Sequence, residues 1–473
     1  MATIIGLGAT AGTAMALHRR TLNRVAATSV GSGVLARGVG IGFALLAAGA
    51  GSAYVMQLCL ARWLGVTAYG TYTYVIAWSG LLAIAAGMGF PTLVLRVLPD
   101  YSIREDWGRV RGMLATSLVG TVLIGAVIAL LGITLVLSLG WQSKASVPDS
   151  VLGFVMVPLL ALMAVQQEMF RSFRRIGLAY TPSLLLRPSL VILGGACVLA
   201  FGHQLDSSVA LALTATATVF VIGLQAWRFR RVVGPIVLSA RPVYEQRIWI
   251  KAALPLLLVS GFVIILQQAD IVMVGAILGD RAAGLYGAAA KTASLVGLIL
   301  IAVNAIGVPM LSALFAQDRH KDLQQLASAI AAWAFWPSCL LSIILATCAP
   351  LVLSTFGPAF ASAEWQLRVL LVGQIVNAAA GSVGWLMLLS GRQNVAAWVY
   401  GWVALIHVVL LAVVIPIFGT LGAAAVTTLT MSLWNVWLHA AVVRDLNIHP
   451  SIIFNLRSAR ADGATRRLMP PLG

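Results

Sequence analysis

The sequence predicts an all-α polytopic membrane protein of about 12 transmembrane helices, in two six-helix lobes related by a parallel pseudo-two-fold. Three observations carry this. Of 473 residues, 60% are hydrophobic and only 10% charged, against about a quarter charged in soluble domains; the mean hydropathy is +0.96. The 31 Lys and Arg alternate between the gaps of the apolar pattern: about 25 lie in the two tails and the even-numbered gaps, and only Arg62, Lys144 and Arg281 in the odd-numbered ones. Short motifs after the first and seventh apolar stretches match each other.

A spanning helix needs about 20 apolar residues. Such stretches fall at approximately 39–61, 70–95, 112–139, 151–170, 178–201, 208–227, 249–278, 283–311, 327–355, 364–390, 395–417 and 421–443. The alternation of basic gaps is the positive-inside pattern. It places both termini in the cytoplasm and the protein, multi-pass, in the inner (plasma) membrane of a bacterial cell. An N-terminal tail (1–37) comes first. Its weak apolar run, Met1 to Leu17, precedes Arg19, Arg20 and Arg24, the reverse of a signal peptide; a disordered tail or an overlong start is expected there. The first lobe (38–228) has basic inner loops at 96–111 and 171–175. A basic cytoplasmic linker (229–248) follows, with Arg230, Arg231, Arg241 and Arg247, then the second lobe (249–443) and a cytoplasmic tail (444–473). Asp149, Asp206, Asp280 and Glu364 mark the outer side. The net charge of +17 is dispersed over membrane-flanking loops, which suits anionic lipid headgroups and not nucleic acid. Cys59, Cys197, Cys339 and Cys348 lie inside apolar stretches with no CxxC spacing; they read as small buried side chains.

The repeat divides the chain at the linker. Leu64-Gly65-x4-Gly70-x-Tyr72 recurs as Leu278-Gly279-x4-Gly284-x-Tyr286, about 214 residues on, and Gly89-Phe90-Pro91 recurs as Gly307-Val308-Pro309. An even number of spans per half makes such repeats parallel. The glycines permit close helix approach and a tight turn between spans. Pro91 and Pro309 are expected to bend the second span of each lobe at the same place.

Arg187, Lys291 and Arg368 lie within spans, where insertion of a charge costs about 2.5–3.5 kcal/mol. Arg187 sits near mid-depth of the fifth span, sharing a helix face with Ser183 and Tyr180 and flanked by Pro182 and Pro188. It reads either as an anion-binding residue of a central cavity, since guanidinium suits phosphate by bidentate contact, or as a snorkelling or internally paired arginine. Asp270 and Lys291 fall at matching depths of the seventh and eighth spans. They form a buried salt bridge, or a pair that opens in transport, with Lys291 meeting phosphate and Asp270 coupling to an ion. Gln374, Asn377, Gly381 and Gly384 form a polar, small stripe on the tenth span, either interhelix glue or substrate contact. Arg368, near the outer end of that span, snorkels. His407 is a candidate proton carrier or a packing residue.

Catalytic constellations are absent from the sequence. It has no Walker A motif, no HExxH and no His, Cys and carboxylate cluster at metal spacing, and no length is left for a catalytic domain. Neither an enzyme nor a cofactor or metal is expected; a coupling ion, H+ or Na+, stays open.

The run Leu58-Cys-Leu-Ala-Arg-Trp-Leu-Gly-Val-Thr-Ala-Tyr-Gly-Thr-Tyr72, with Asp270-Ile-Val-Met-Val-Gly-Ala-Ile-Leu-Gly279, Gly284-Leu-Tyr-Gly-Ala-Ala-Ala-Lys291 and Gly419-Thr-Leu-Gly-Ala-Ala-Ala425, resembles the polysaccharide flippases of the Wzx (RfbX) type. That family shares a superfamily with the multidrug-and-toxin extruders and the lipid II flippases. The resemblance covers nearly the whole chain through short, loose motifs. It implies two lobes around a central cavity, alternating access, and translocation of an undecaprenyl-pyrophosphate-linked oligosaccharide (an O-antigen, capsule or exopolysaccharide unit). It also implies cationic cavity residues, a role that Arg187 and Lys291 would fill, and a polysaccharide polymerase or assembly complex as a partner. Two alternatives stand beside it: a cation-coupled multidrug extruder of the same fold, disfavoured by the lack of a deep carboxylate in the first six spans, and an accessory subunit of a polysaccharide assembly complex.

Overall fold

The computed structural model describes residues 32–138, 146–317 and 319–452. The expectations for the first 31 residues, for Lys144 and for the tail beyond 452 lie outside the described residues. Among the described residues the regular structure is entirely helical. The helices are α1 (Ser32–Gly87), α2 (Phe90–Ile103), α3 (Trp107–Ser138), α4 (Val147–Ser172), α5 (Ile176–Ala200), α6 (Ser207–Val232), α7 (Gln246–Leu278), α8 (Asp280–Ala316), α9 (His320–Thr347), α10 (Glu364–Ala380), α11 (Val383–Leu389) and α12 (Gln393–Leu446).

Nine helices among the described residues are long and apolar enough to cross a membrane, ten if the bent pair of α10, with its preceding turn, and α11 counts as one span. Two are too long for one crossing. α1 has 56 residues and α12 has 54, about 80 Å each at 1.5 Å per residue, against a hydrocarbon core of about 30 Å. Each is interrupted at a glycine: Gly65 (φ 72, ψ 177) in α1 and Gly419 (φ 60, ψ −147) in α12. Dividing both there recovers the twelve expected passes. Side chains that would be stranded in water, such as Phe201 (81% exposed), Ile417 (68%) and Leu131 (67%), face lipid. The cysteines join that surface instead of the core: Cys197 and Cys348 are exposed and the other two half-buried.

The backbone repeats as the sequence does. Gly65 and Gly279 share one conformation (φ 72, ψ 177 and φ 94, ψ 177), a left-handed turn open to glycine. Five residues on, the two lobes touch reciprocally. A Cβ on Gly70 would lie 1.8 Å from the Asp280 carbonyl oxygen, and a Cβ on Gly284 would lie 2.3 Å from the Val66 carbonyl oxygen. Gly70 and Gly284 correspond in the repeat, and so do Val66 and Asp280. The two contacts are therefore images of each other, and the pseudo-two-fold passes between them. Thr71 donates to the Asp280 carboxylate at 2.9 Å across the same junction. Nearby, Tyr54 and Tyr69 of α1 pack on Phe356 and Phe360 of the second lobe, with ring centroids 5.6 and 5.7 Å apart.

The proline repeat does not hold. Met88 and Gly89 both take positive φ (47° and 75°), so α1 stops at Gly87 and Pro91 opens the new helix α2, where its missing N–H costs nothing. Pro309 lies inside α8, which continues to Ala316. Gly307 stays helical, and only one hydrogen bond is lost there. The two prolines thus break one lobe and leave the other continuous. Two of the basic residues between spans make specific contacts. Arg111 donates to the carbonyls of Leu238 and Ala240 at 2.8 and 2.7 Å, and Arg109 bridges Asp106 and Glu245, so they strap the linker across the start of α3.

Candidate functional site

Each lobe buries a tyrosine–threonine pair at corresponding places. Tyr72 meets Thr214 on α6 at 3.2 Å, and Tyr286 meets Thr427 on α12 at 3.1 Å. What stands beside each pair differs. In the first lobe Arg187 follows the turn of α5 that packs on α1, the helix of Tyr72; in the second, Tyr286 meets Asp270 at 2.8 Å.

Arg187 is positioned by a backbone irregularity. Within α5, Thr181–Leu186 form a π-helical turn, and the Arg187 N–H reaches back to the Pro182 carbonyl. Pro188 explains it. It has no N–H for the Leu184 carbonyl, and its ring crowds that carbonyl, so the helix widens just before it. Single π turns recur at functional sites. Arg187 is the twelfth residue of the 25-residue α5, about 16 Å from its start and so near mid-membrane. Tyr180, Ser183 and Arg187 all pack on α4, against a stripe of residues four apart. Tyr180 lies under the Arg171 guanidinium (5.6 Å to the ring centroid), Ser183 donates to Gln167 at 3.1 Å, and Arg187 approaches the Met163 sulfur at 4.0 Å. Tyr180 and Ser183 are thereby occupied as interhelix contacts. Arg187 is only partly so: beyond its long contact with the Met163 sulfur, its Nε is sealed from solvent with no hydrogen-bond partner, and it forms no ion pair among the described residues.

The second constellation is arranged differently from the expectation. Asp270 does not pair with Lys291. Its carboxylate accepts from the Tyr286 hydroxyl at 2.8 Å, the Ile271 N–H at 2.8 Å and the Thr427 hydroxyl at 3.3 Å. The depths of Asp270 and Lys291 do match, but their directions do not. Tyr286 faces Asp270, and five residues further along α8 the helix has turned to leave Lys291 about 140° away. Lys291 is half-buried beside Thr292, which meets Tyr54 of the first lobe at 3.2 Å. His407 is fully buried between α12's two passes; its Nδ1 meets Thr430 at 2.9 Å and its Nε2 has no partner. Arg368 is neutralised by Glu364 at 2.9 Å, lies 4.6 Å over the Trp365 ring and reaches the Ala346 carbonyl. Of the three cations placed within spans, the outermost alone has a carboxylate partner.

The polar stripe of the tenth span is cut in two. α10 ends at Gly381 (φ 72), and α11 resumes after a bend of 41°. Gln374 packs against Gly297 of α8, while Asn377 accepts from Asn435 of α12 at 3.1 Å and lines a cavity inside the second lobe. Asn304, Tyr400, Trp434 and Asn435 line that cavity too, and the sequence reading passed over them. A scan for carboxamides inside apolar spans would have found Asn304 and Asn435.

Two lobes of six passes, joined at matched glycines, form a known fold. The chain matches an inward-facing multidrug resistance MATE family transporter of the MOP superfamily with TM-score 0.68 at 14% identity, over 83% of this chain and 94% of that one. An outward-facing member gives 0.60 at 13%, over 86% and 95%. A MOP superfamily transporter from Pyrococcus furiosus, described as having a binding pocket of reversed polarity, gives 0.59 at 13%, over 84% and 92%. No curated protein matches the sequence. The family profile described as "Polysaccharide biosynthesis protein" matches residues 35–315. The chain belongs to that family. It is a multi-pass membrane exporter or flippase of the polysaccharide biosynthesis group, built on the MATE-type fold. Family and fold are those of transporters and flippases, not of catalytic enzymes.

Proposed function

We propose that this member of the polysaccharide biosynthesis family flips an undecaprenyl-pyrophosphate-linked oligosaccharide across the bacterial inner membrane by alternating access, with Arg187 as the pyrophosphate contact. Arg187 carries the reading. It is a mid-membrane guanidinium with a sealed, unpartnered Nε, held at a π turn. A cation in hydrocarbon without a counter-charge is costly, and a pyrophosphate supplies that counter-charge with geometry that matches the guanidinium fork. Lys291, also without an ion-pair partner among the described residues, gives the opposite lobe a second cation. The basic loops fit a cytoplasmic linker and cytoplasmic termini. A polysaccharide polymerase or assembly complex is the partner expected to take up the flipped unit. The multidrug alternative is less well supported. The deep carboxylate, Asp270, is already held by two hydroxyls and an N–H, and it lies in the second lobe. With Thr427, Thr430 and His407 around it, Asp270 is instead the candidate for coupling to H+ or Na+.

The test is the sidedness of lipid-linked oligosaccharide in a strain lacking the gene. Sugar-loaded lipid should accumulate on the cytoplasmic leaflet. Wild type should clear it, Arg187→Lys should clear it in part, and Arg187→Ala should fail although inserted normally. Normal lipid distribution without the gene, or full rescue by Arg187→Ala, rejects the assignment.

A further inference from the structure

We infer that the cavity inside the second lobe is a binding site for an uncharged sugar ring of the lipid-linked substrate, separate from the cation that holds the pyrophosphate. This rests on the flippase reading above and adds a recognition site to it. The cavity holds about 270 Å³ and opens to the surface of the lobe beside Trp385 and Leu388. It lies between α8, α10, α11 and α12, at the break at Gly381, in the half of the span nearer the linker. Its lining contains no Lys, Arg, Asp or Glu. It therefore offers no formal charge to a phosphate or a metal ion.

What it offers instead is the chemistry that grips a pyranose. Asn304, Asn377 and Asn435 contribute three carboxamides, and each uses one end on a neighbour. Asn304 accepts from Ser382, Asn377 accepts from Asn435 at 3.1 Å, and the Asn435 amide also donates to the Met431 carbonyl at 2.9 Å. No hydrogen bond is formed by their other ends among the described residues, and all three residues line the cavity. A carboxamide presents donors and an acceptor side by side, matching adjacent hydroxyls of a sugar. Tyr400 and Trp434 form an edge-to-face pair, centroids 6.4 Å apart, and Trp385 completes the wall. Aromatic faces stack on the C–H face of a sugar, and the Tyr400 and Trp ring ends add polar handles. The Tyr400 hydroxyl lies over Gly384, where a Cβ would come within 3.0 Å of it; glycine there leaves the hydroxyl room to face the cavity. Gly381 and Ser382 make the break that admits a ring between the helices.

The test compares binding of defined lipids to the purified full-length protein by native mass spectrometry. The probes are bare undecaprenyl pyrophosphate and the same lipid carrying one glucose, galactose or N-acetylglucosamine. At least one sugar-bearing lipid should bind about tenfold tighter than the bare one, the gain expected of a few good hydrogen bonds and a stacked ring. Trp434→Ala and Asn377→Ala should erase that advantage. Tyr400→Phe, which removes a hydroxyl with no protein partner and so leaves folding intact, should cut it about threefold. Arg187→Ala should weaken bare and sugar-bearing lipids alike and leave their ratio unchanged. Persistence of the advantage in Trp434→Ala and Tyr400→Phe overturns the cavity assignment. So does the absence of any advantage while binding still depends on Arg187, which leaves the flippase reading standing. If no lipid binds in an Arg187-dependent way, both readings fall.

Discussion

The two lobes are copies that have been charged oppositely. Around Tyr72–Thr214 in the first and Tyr286–Thr427 in the second, the scaffold is the same to the level of one hydroxyl pair. The first lobe holds a guanidinium on the helix packed against its pair, with its Nε unpartnered and the Met163 sulfur as a long contact. The second sets a carboxylate beside its own and ties it with three hydrogen bonds. Burying a charge is tolerable when its partners are present in the fold, or when they arrive with a ligand. Asp270 belongs to the first case and Arg187 to the second. The difference separates a group that holds the protein together from one that waits for something else.

The comparison can be broken at the scaffold first. Gly70→Ala and Gly284→Ala each drive a methyl into a backbone carbonyl at 1.8 and 2.3 Å. Each should cost about 3 kcal/mol, the upper range for overpacking, seen as a large fall in thermal unfolding temperature in detergent. Gly80→Ala, with no atom within 4 Å of its Cβ, should not. If only one of the first two variants suffers, the reciprocal contact is not a symmetric joint. The next effect sharpens the charge contrast. Asp270→Ala removes the acceptor shared by the Tyr286 and Thr427 hydroxyls, leaving them only each other, and should cost about 2 kcal/mol. Arg187→Ala removes an unpaired cation and should stay within about 1 kcal/mol of wild type while transport is lost. A strongly destabilised Arg187→Ala would make that residue structural. Smallest are the hydroxyls themselves. Thr214→Val should cost about 1 kcal/mol, and Thr427→Val somewhat more because it also meets Asp270, both read from the same unfolding curves.

Much of the architecture was legible because it is written locally. The spans follow from composition, and the turns at Gly65 and Gly279 follow from a motif that only glycine can satisfy at positive φ. Arg187 was legible for a similar reason: one charge in an apolar run stands out. The arrangement around Asp270 was not. A sequence gives depth along each helix but not the direction in which a side chain leaves it, so Asp270 and Lys291 looked paired when Tyr286 stands in the place expected for Lys291. The cavity in the second lobe escaped for a related reason. Asn304, Asn377 and Asn435 lie on three different helices, and each alone reads as ordinary interhelix glue. Pro91 and Pro309 mislead in the opposite sense, because the residue that decides between a break and a bend is Gly89, left-handed, against Gly307, helical.

The π turn before Arg187 has a consequence for how such a protein could have arisen. A helix that widens to i→i−5 bonding for one turn holds one residue more than a regular helix would. The extra residue is taken up in the wide turn, so the stretches before and after it keep the facing they have in a regular helix one residue shorter. Removing one residue from Thr181–Leu186 would restore a regular helix and leave Arg187 facing Met163, without altering the charge or the span. A one-residue insertion into a regular α5 is thus absorbed without re-aiming the cation, and such a transporter gains a wide turn beside Arg187 while the guanidinium keeps its direction.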